Sequence, residues 1–154
     1  WPSSPFNPAT GLFYLMASEA CAVYQKNSQW FELGKSFYGG TTKNVTIDGS
    51  GKFVRALDLQ TGKLVWEKRV NGTGPRNESW SSMILAGDKI YILNQSGDTI
   101  ILRASPQFEL VGVNSIGNEL TNATLAVSNG EFFIRTHQNL WCIGDVQSER
   151  SISR

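Results

Sequence analysis

The sequence predicts an all-β protein, and three observations support this. Apolar residues do not recur at the 3.6-residue period of an amphipathic helix in any window of the 154 residues. Short apolar or alternating runs recur instead, and clusters of glycine, asparagine, aspartate and proline separate them. Strands are predicted over residues 12–17, 20–25, 53–58, 63–70, 81–86, 89–94, 99–104, 108–114, 124–128, 131–135 and 140–143.

The first two strands follow a turn signal and precede a long irregular stretch. Pro8-Ala9-Thr10-Gly11 is typical of a turn and leads into the strand over residues 12–17. Residues 26–51 are rich in glycine and too long for a simple connection. We expect them to form a lid, a covering loop or a disordered excursion inserted after the strand over residues 20–25.

The next two strands form a predicted hairpin with a tryptophan near its end. Asp58 and Thr61 can hydrogen-bond the backbone within the turn, and Gly62 can adopt a positive φ. A lone hairpin is only marginally stable in water, so its apolar face needs a cover. Trp66 is large enough to bury about 200 Å² against a neighbouring unit. The alternative is an ordinary β-sandwich hairpin with one tryptophan in the core.

Three stretches of the chain share one design. Each has a leading run, a turn containing glycine and an aromatic strand: SSPFNPATGLFYLMA (3–17), SSMILAGDKIYILNQ (81–95) and ATLAVSNGEFFIRTH (123–137). Tyr91 and Phe133 are 42 residues apart, which is the spacing of a four-stranded β-propeller blade. Tyr14 and Tyr91 are 77 residues apart, so the first repeat carries an insertion of 77 − 42 = 35 residues.

The repeat predicts a partial β-propeller of four-stranded antiparallel blades over residues 1–145. The first blade spans residues 1–70 with the inserted loop 26–51, the second spans residues 80–120, and an incomplete third spans residues 121–145, before a polar tail over residues 146–154. In the second blade Val111 stands roughly where Trp66 stands in the first. About two and a half blades would leave apolar blade faces uncovered. We therefore expect the remaining blades of a longer chain, or other copies, as partners.

Two parts of the sequence resemble known propellers. WPSSPFNPATGLFYLMASEACAVY, GKSFYGGTT and KFVRALDLQTGKLVWE, within residues 1–80, resemble the quinoprotein alcohol dehydrogenases, which use pyrroloquinoline quinone (PQQ). The resemblance implies that Ala-x-Asp-x-x-Thr-Gly-x-x-x-Trp, ending at Trp66, is a tryptophan docking motif that packs on the adjacent blade. Residues 80–145 resemble the wider PQQ-like repeat proteins, including the propeller lipoprotein of the outer-membrane β-barrel assembly machinery. Many of those proteins bind no quinone.

The resemblance also implies a cofactor and two residues beside it. Trp1 and Trp80 match tryptophans that approach PQQ in the family, and an indole offers a flat face and one N–H donor. The alternative is that both tryptophans only pack the blades. The family also needs Ca²⁺ or a lanthanide and a catalytic Asp, and these motifs have no match in this sequence. No catalytic and no metal-ligating residue is therefore assigned.

Two functions remain open at this point. The first is part of a quinoprotein dehydrogenase that oxidises alcohols or sugars with PQQ and a metal ion, catalytically incomplete in this chain. The second is a non-catalytic PQQ-like propeller that acts as a scaffold or protein-binding module. The family resemblance implies a periplasmic or other extracytoplasmic location for either.

Composition excludes some other classes of function. The chain has a net charge of +1, with 40% hydrophobic and 18% charged residues, so it has no general attraction for nucleic acid. No apolar run is long enough for a membrane span. Cys21 and Cys142 are expected to be buried free thiols, with a disulfide as the alternative. His137, the single histidine, is expected at a turn or a sheet edge.

Overall fold

The computed structural model describes residues 2–144, and this range contains thirteen β-strands and no helix. The all-β prediction is confirmed. Sheet I contains, in spatial order, β1 (Phe6–Asn7), β2 (Leu12–Glu19), β5 (Gly51–Asp58) and β6 (Leu64–Lys68). Sheet II contains β7 (Ile84–Ala86), β8 (Lys89–Leu93), β9 (Asp98–Arg103) and β10 (Leu110–Ser115), and sheet III contains β11 (Ala126–Ser128), β12 (Glu131–Arg135) and β13 (Leu140–Ile143). A separate hairpin contains β3 (Cys21–Lys26) and β4 (Gly40–Val45).

The hairpin of β3 and β4 belongs to a compact unit of its own, formed by residues 17–53. The two strands pair in antiparallel register from Cys21 opposite Val45 to Lys26 opposite Gly40. Strand β4 lies inside the stretch that the sequence predicts as an insertion without strands. Its four central residues are polar and exposed, so it lacks the apolar alternation by which a strand is detected in a sequence.

The turn between β5 and β6 has the predicted chemistry. The Asp58 carboxylate accepts hydrogen bonds from the backbone N–H and the hydroxyl of Thr61, both at 2.7 Å. These hydrogen bonds, led by that of the Thr61 side chain, lower the pKa of Asp58. Gly62 adopts a φ of 70°, and its N–H donates to the Asp58 carbonyl at 2.8 Å. The hairpin prediction is confirmed.

Sheets I and II pack through a shared apolar core. Every second residue of β2 and β5 points into it from sheet I, and every second residue of β8 and β9 does so from sheet II. Trp66 adds its indole at the end of sheet I and is 8% exposed. The buried members of this core are Leu12, Tyr14, Val54, Ala56, Trp66, Met83, Ile90, Ile92, Ile100, Leu102 and Ala104.

Sheets II and III meet through a smaller core. Its buried residues are Leu93, Leu125 and Ile134. The rings of Tyr91 and Phe132 contact each other across the sheets, with centroids 4.9 Å apart. The opposite face of sheet II is therefore covered less completely than the face that meets sheet I.

A β-bulge occurs at the same place in sheets I and II and corrects the predicted alignment of the repeats. In sheet I, Ala56 pairs with Trp66 and the next pair skips Val65. In sheet II, Ile101 pairs with Gly112 and the next pair skips Val111. Gly112, not Val111, therefore occupies the position of Trp66. The prediction for Val111 is wrong by one residue, because the connection between the paired residues Leu102 and Leu110 is one residue longer than that between Leu57 and Leu64.

A buried carboxylate fixes the connection between sheets I and II. Asp98 is 1% exposed and accepts hydrogen bonds from the backbone N–H groups of Thr73 and Gly74, each at 2.8 Å. Burial alone would raise the pKa of Asp98, but these bonds, with others from Ser115 and Asn94, bring the pKa below its usual value. A Cβ on Gly72 would lie 2.2 Å from the same carboxylate, so glycine is required there.

Candidate functional site

Trp66 contacts sheet II directly. Its indole N–H donates to the backbone carbonyl of Ser105 at 3.1 Å. Its ring contacts Phe108 edge to face, with the ring centroids 5.4 Å apart. It contacts Tyr14 in a tilted arrangement, with the ring centroids 5.9 Å apart. The predicted contact between this tryptophan and a neighbouring sheet is confirmed. The indole stabilises the packing of the two sheets and is not available to a ligand.

The three segments that lead into the sheets lie side by side. We call residues 2–5, 80–83 and 122–125 the lead-in segments. The Ser3 N–H donates to the Ser82 hydroxyl at 2.8 Å, and the Met83 N–H donates back to the Ser3 carbonyl at 3.3 Å. The Ser82 N–H donates to the Thr124 hydroxyl at 3.0 Å. Segments that are separated by 42 to 121 residues in the sequence thus form one continuous edge.

The middle lead-in segment presents Trp80 to solvent. The hydroxyls of Ser79 and Ser81 both donate to the Leu93 carbonyl, at 2.7 and 2.8 Å. Because alternate residues of an extended segment point in opposite directions, anchoring both serines inward turns Trp80 outward. Its side chain is 66% exposed. The predicted site residue Trp80 therefore has an accessible aromatic face on an anchored backbone.

A polar depression lies at the third lead-in segment. It has a volume of about 300 Å³ and is lined by Asn122, Ala123, Arg135, Thr136 and His137. Gln95 connects it to the backbone before Trp80: the Gln95 N–H donates to the Glu78 carbonyl at 2.8 Å, and its side-chain amide donates to Asn122 at 2.9 Å. The backbone near Trp80 and the depression are therefore joined through one residue of the turn between β8 and β9.

A carboxylate that is not part of the lining holds the turn bordering the depression through hydrogen bonds. Glu119 accepts hydrogen bonds from Thr136 at 2.7 Å, from Asn139 at 3.0 Å and from Trp141 at 3.2 Å. These bonds, with that of Asn139 the largest contributor, lower the pKa of Glu119. They fix the turn that carries His137. The backbone N–H of His137 donates to the backbone carbonyl of Leu120 at 2.8 Å.

The sequence alone indicates no role for Asn122 and Arg135, and it predicts His137 only at a turn or a sheet edge. The signal that points to them is the repeat itself. When the three leading runs are superimposed, Asn122 precedes the third run in the place where Trp80 precedes the second. This run contains β12, whose last residue is Arg135, and His137 lies two residues beyond the strand. An exposed indole with an amide, a guanidinium and an imidazole nearby suits a flat ligand that carries negative charge.

The remaining predictions from the sequence concern Trp1 and the two cysteines. Trp1 is outside the described residues, so its predicted place beside Trp80 stays a prediction. Cys21 and Cys142 are free, as expected, but both are exposed, so the prediction that they are buried is wrong. Cys21 is in a two-stranded sheet with few buried positions, and Cys142 is on an edge strand whose side chains are exposed.

Residues 2–144 contain no group of three or more His, Cys, Asp or Glu side chains placed to hold a metal ion. They also contain no helix that is long and apolar enough to cross a membrane. Comparison of the sequence with models of protein families and with curated proteins finds no match.

Proposed function

We propose that sheets I, II and III are consecutive blades of a PQQ-like β-propeller, and that the lead-in segments form one wall of a quinone site in an alcohol or sugar dehydrogenase. The observation that carries this proposal is the hydrogen-bonded row from Ser3 through Ser82 to Thr124. In a propeller, blades repeat around an axis, so equivalent segments of successive blades are neighbours. The same row presents the exposed face of Trp80.

The residues at this edge fit part of what PQQ requires. PQQ is flat and carries carboxylates, so it needs a π-face and hydrogen-bond donors. Trp80 supplies an accessible indole, while Asn122 and Arg135 supply donors in the depression that Gln95 links to it. Bound PQQ would accept two electrons from the substrate alcohol. In this proposal the metal ligands, the catalytic base and Trp1 lie outside residues 2–144.

The test is retention of quinone by the protein. The full-length protein, which in this proposal supplies the metal ligands and the catalytic base, is mixed with PQQ and Ca²⁺, passed through gel filtration, and examined for quinone absorbance and alcohol-dependent reduction of a dye. Trp80→Ala is expected to weaken PQQ binding about three- to tenfold, because one aromatic stack is lost. Trp30→Ala is the matched control, since Trp30 is 90% exposed in the separate hairpin unit. Absence of co-eluting quinone, or equal losses in both variants, would contradict the proposal.

A second candidate function is a scaffold that binds proteins, including other copies of the chain. It is favoured by the exposed apolar side chains between β3 and β4. Trp30, Leu33 and Tyr38 are each more than 80% exposed, and exposed apolar clusters of this kind mark interaction surfaces. Sedimentation velocity at increasing concentration is expected to show association that the variant Trp30→Ser/Leu33→Ser lacks. A concentration-independent monomer would contradict self-association through this surface.

A further inference from the structure

The interface between sheets II and III contains a cleft. Its volume is about 470 Å³. Sheet II contributes Thr99 and Ile101 to its lining, and sheet III contributes Phe132 and Ile134. It is continuous with the core of Leu93, Leu125 and Ile134, so it lies within an established packing interface. The volume falls within the range of small-molecule sites.

The cleft occurs where an indole is missing. Gly112 has the register position of Trp66, as the two bulges show. Opposite residues of an antiparallel pair project from the same face, so a side chain at position 112 would stand beside Ile101, which lines the cleft. A Cβ added to Gly112 would meet no atom within 4 Å. Open space therefore adjoins Gly112, at the register position where Trp66 carries its indole.

The lining of the cleft defines the chemistry of its occupant. None of the described side chains that line it is charged, so an ionic group would lose hydration without gaining a partner. The Tyr91–Phe132 ring pair forms an aromatic wall, and Ile101 and Ile134 add aliphatic surface. Thr99 and Asn114, which face each other in register, offer a hydroxyl and an amide. This combination suits a flat aromatic ring with one polar atom.

We propose that this cleft is a binding site for a neutral planar aromatic ligand of about the size of indole. The ligand occupies the position beside Gly112 that the Trp66 side chain occupies in the preceding interface. It packs on Ile101 and on the Tyr91–Phe132 pair, and its polar atom hydrogen-bonds Thr99 or Asn114. This site shares only Leu125 with the lead-in segments and does not depend on the proposed dehydrogenase function.

The test uses indole itself as the probe. Indole is titrated into the full chain and followed by heteronuclear NMR, and we expect saturable shifts confined to β8, β9, β10 and β12. For a nine-atom ligand a Kd of roughly 0.1–1 mM is expected. Gly112→Trp places a tethered indole in the cleft and is expected to weaken binding about tenfold or more. Leu110→Trp is the matched control, since it adds an indole to the same strand at a position that is 51% exposed.

A smaller variant guards against misfolding of Gly112→Trp. Gly112→Leu fills part of the cleft, and its circular dichroism spectrum reports whether the fold is kept; an intermediate loss of indole binding is expected. Unchanged binding in folded Gly112→Trp and Gly112→Leu would overturn the proposal. So would shifts that do not saturate, or shifts that are spread over sheet I.

Discussion

The interface between sheets I and II and the interface between sheets II and III use the same strand positions but are filled differently. In the first, Trp66 reaches across to Phe108 and to the Ser105 carbonyl. In the second, the equivalent residue is Gly112, and a cleft of about 470 Å³ remains. Trp66 thus closes the first interface, whereas Gly112 adds no side chain to the second, which contains a cleft.

The largest expected effect comes from removing the indole that closes the first interface. Trp66→Ala is expected to lower the free energy of unfolding by about 3–5 kcal/mol, because it leaves a cavity between sheets I and II and an unpaired carbonyl at Ser105. The measurement is urea denaturation followed by circular dichroism. Trp30→Ala is the control, since Trp30 is 90% exposed, and a change within about 0.5 kcal/mol is expected. Equal losses in the two variants would show that the indole does not close the interface.

A matched pair of isoleucines compares the two cores. Ile100 and Ile134 are 1% and 2% exposed, but Ile134 lines the open cleft. Ile100→Ala is expected to cost about 4 kcal/mol and Ile134→Ala about 2 kcal/mol, because Ile134 loses fewer close contacts. Urea denaturation of both variants gives the difference. A larger loss at Ile134 would mean that sheet III is packed as tightly as sheet I.

The third prediction concerns the buried carboxylate of Asp98, which fixes the connection between sheets I and II. Asp98→Asn is expected to cost about 1.5–3 kcal/mol, because two backbone N–H groups lose a charged acceptor. Asp88→Asn is the control: Asp88 makes ion pairs with Lys89 and Arg103, but its side chain is 61% exposed, so little change in stability is expected. A neutral result for Asp98→Asn would contradict the assigned role.

The smallest expected effect is the pH dependence of stability that results from the Asp98 carboxylate. The pKa of Asp98 in the folded protein lies below its ordinary value of 3.8, so the ionised form favours the folded state. The stabilisation that the ionised Asp98 carboxylate contributes is complete above pH 3.8 and is lost as the pH falls through the lower pKa of the folded state. Between about pH 4 and pH 2 the stability of the unaltered protein is expected to fall more steeply than that of Asp98→Asn. Parallel curves would contradict this.

The sequence predicts local features well where a short pattern determines them. The turn from Asp58 to Gly62 and the contact of Trp66 with a neighbouring sheet are both correct, because turn residues and a large aromatic residue act locally. Strands β1 and β4 lie outside the predicted strands: β1 has two residues and β4 has few apolar side chains. The bulge at Val111 is also undetected, since it changes register without changing composition.

The candidate site is predicted only in part. Trp80 is proposed from the resemblance and stays a prediction; the structure shows that its side chain is exposed on an anchored backbone. Asn122 and Arg135 are not predicted, because neither belongs to a catalytic or cofactor-binding motif and only the folded structure brings them to one depression. Asp98 resembles an ordinary turn aspartate in the sequence, and its burial depends on a loop more than twenty residues earlier.

Native-state hydrogen exchange compares the two interfaces most directly. Opening free energies are measured for hydrogen-bonded amides of β5, β8 and β9, which form the first interface, and of β12, which carries Phe132 and Ile134. If Trp66 closes the first interface and Gly112 leaves the second open, β12 exchanges through an opening about 1–3 kcal/mol less costly than that of β5, β8 and β9. Equal protection in these strands, or stronger protection in β12, would contradict the difference between the two interfaces.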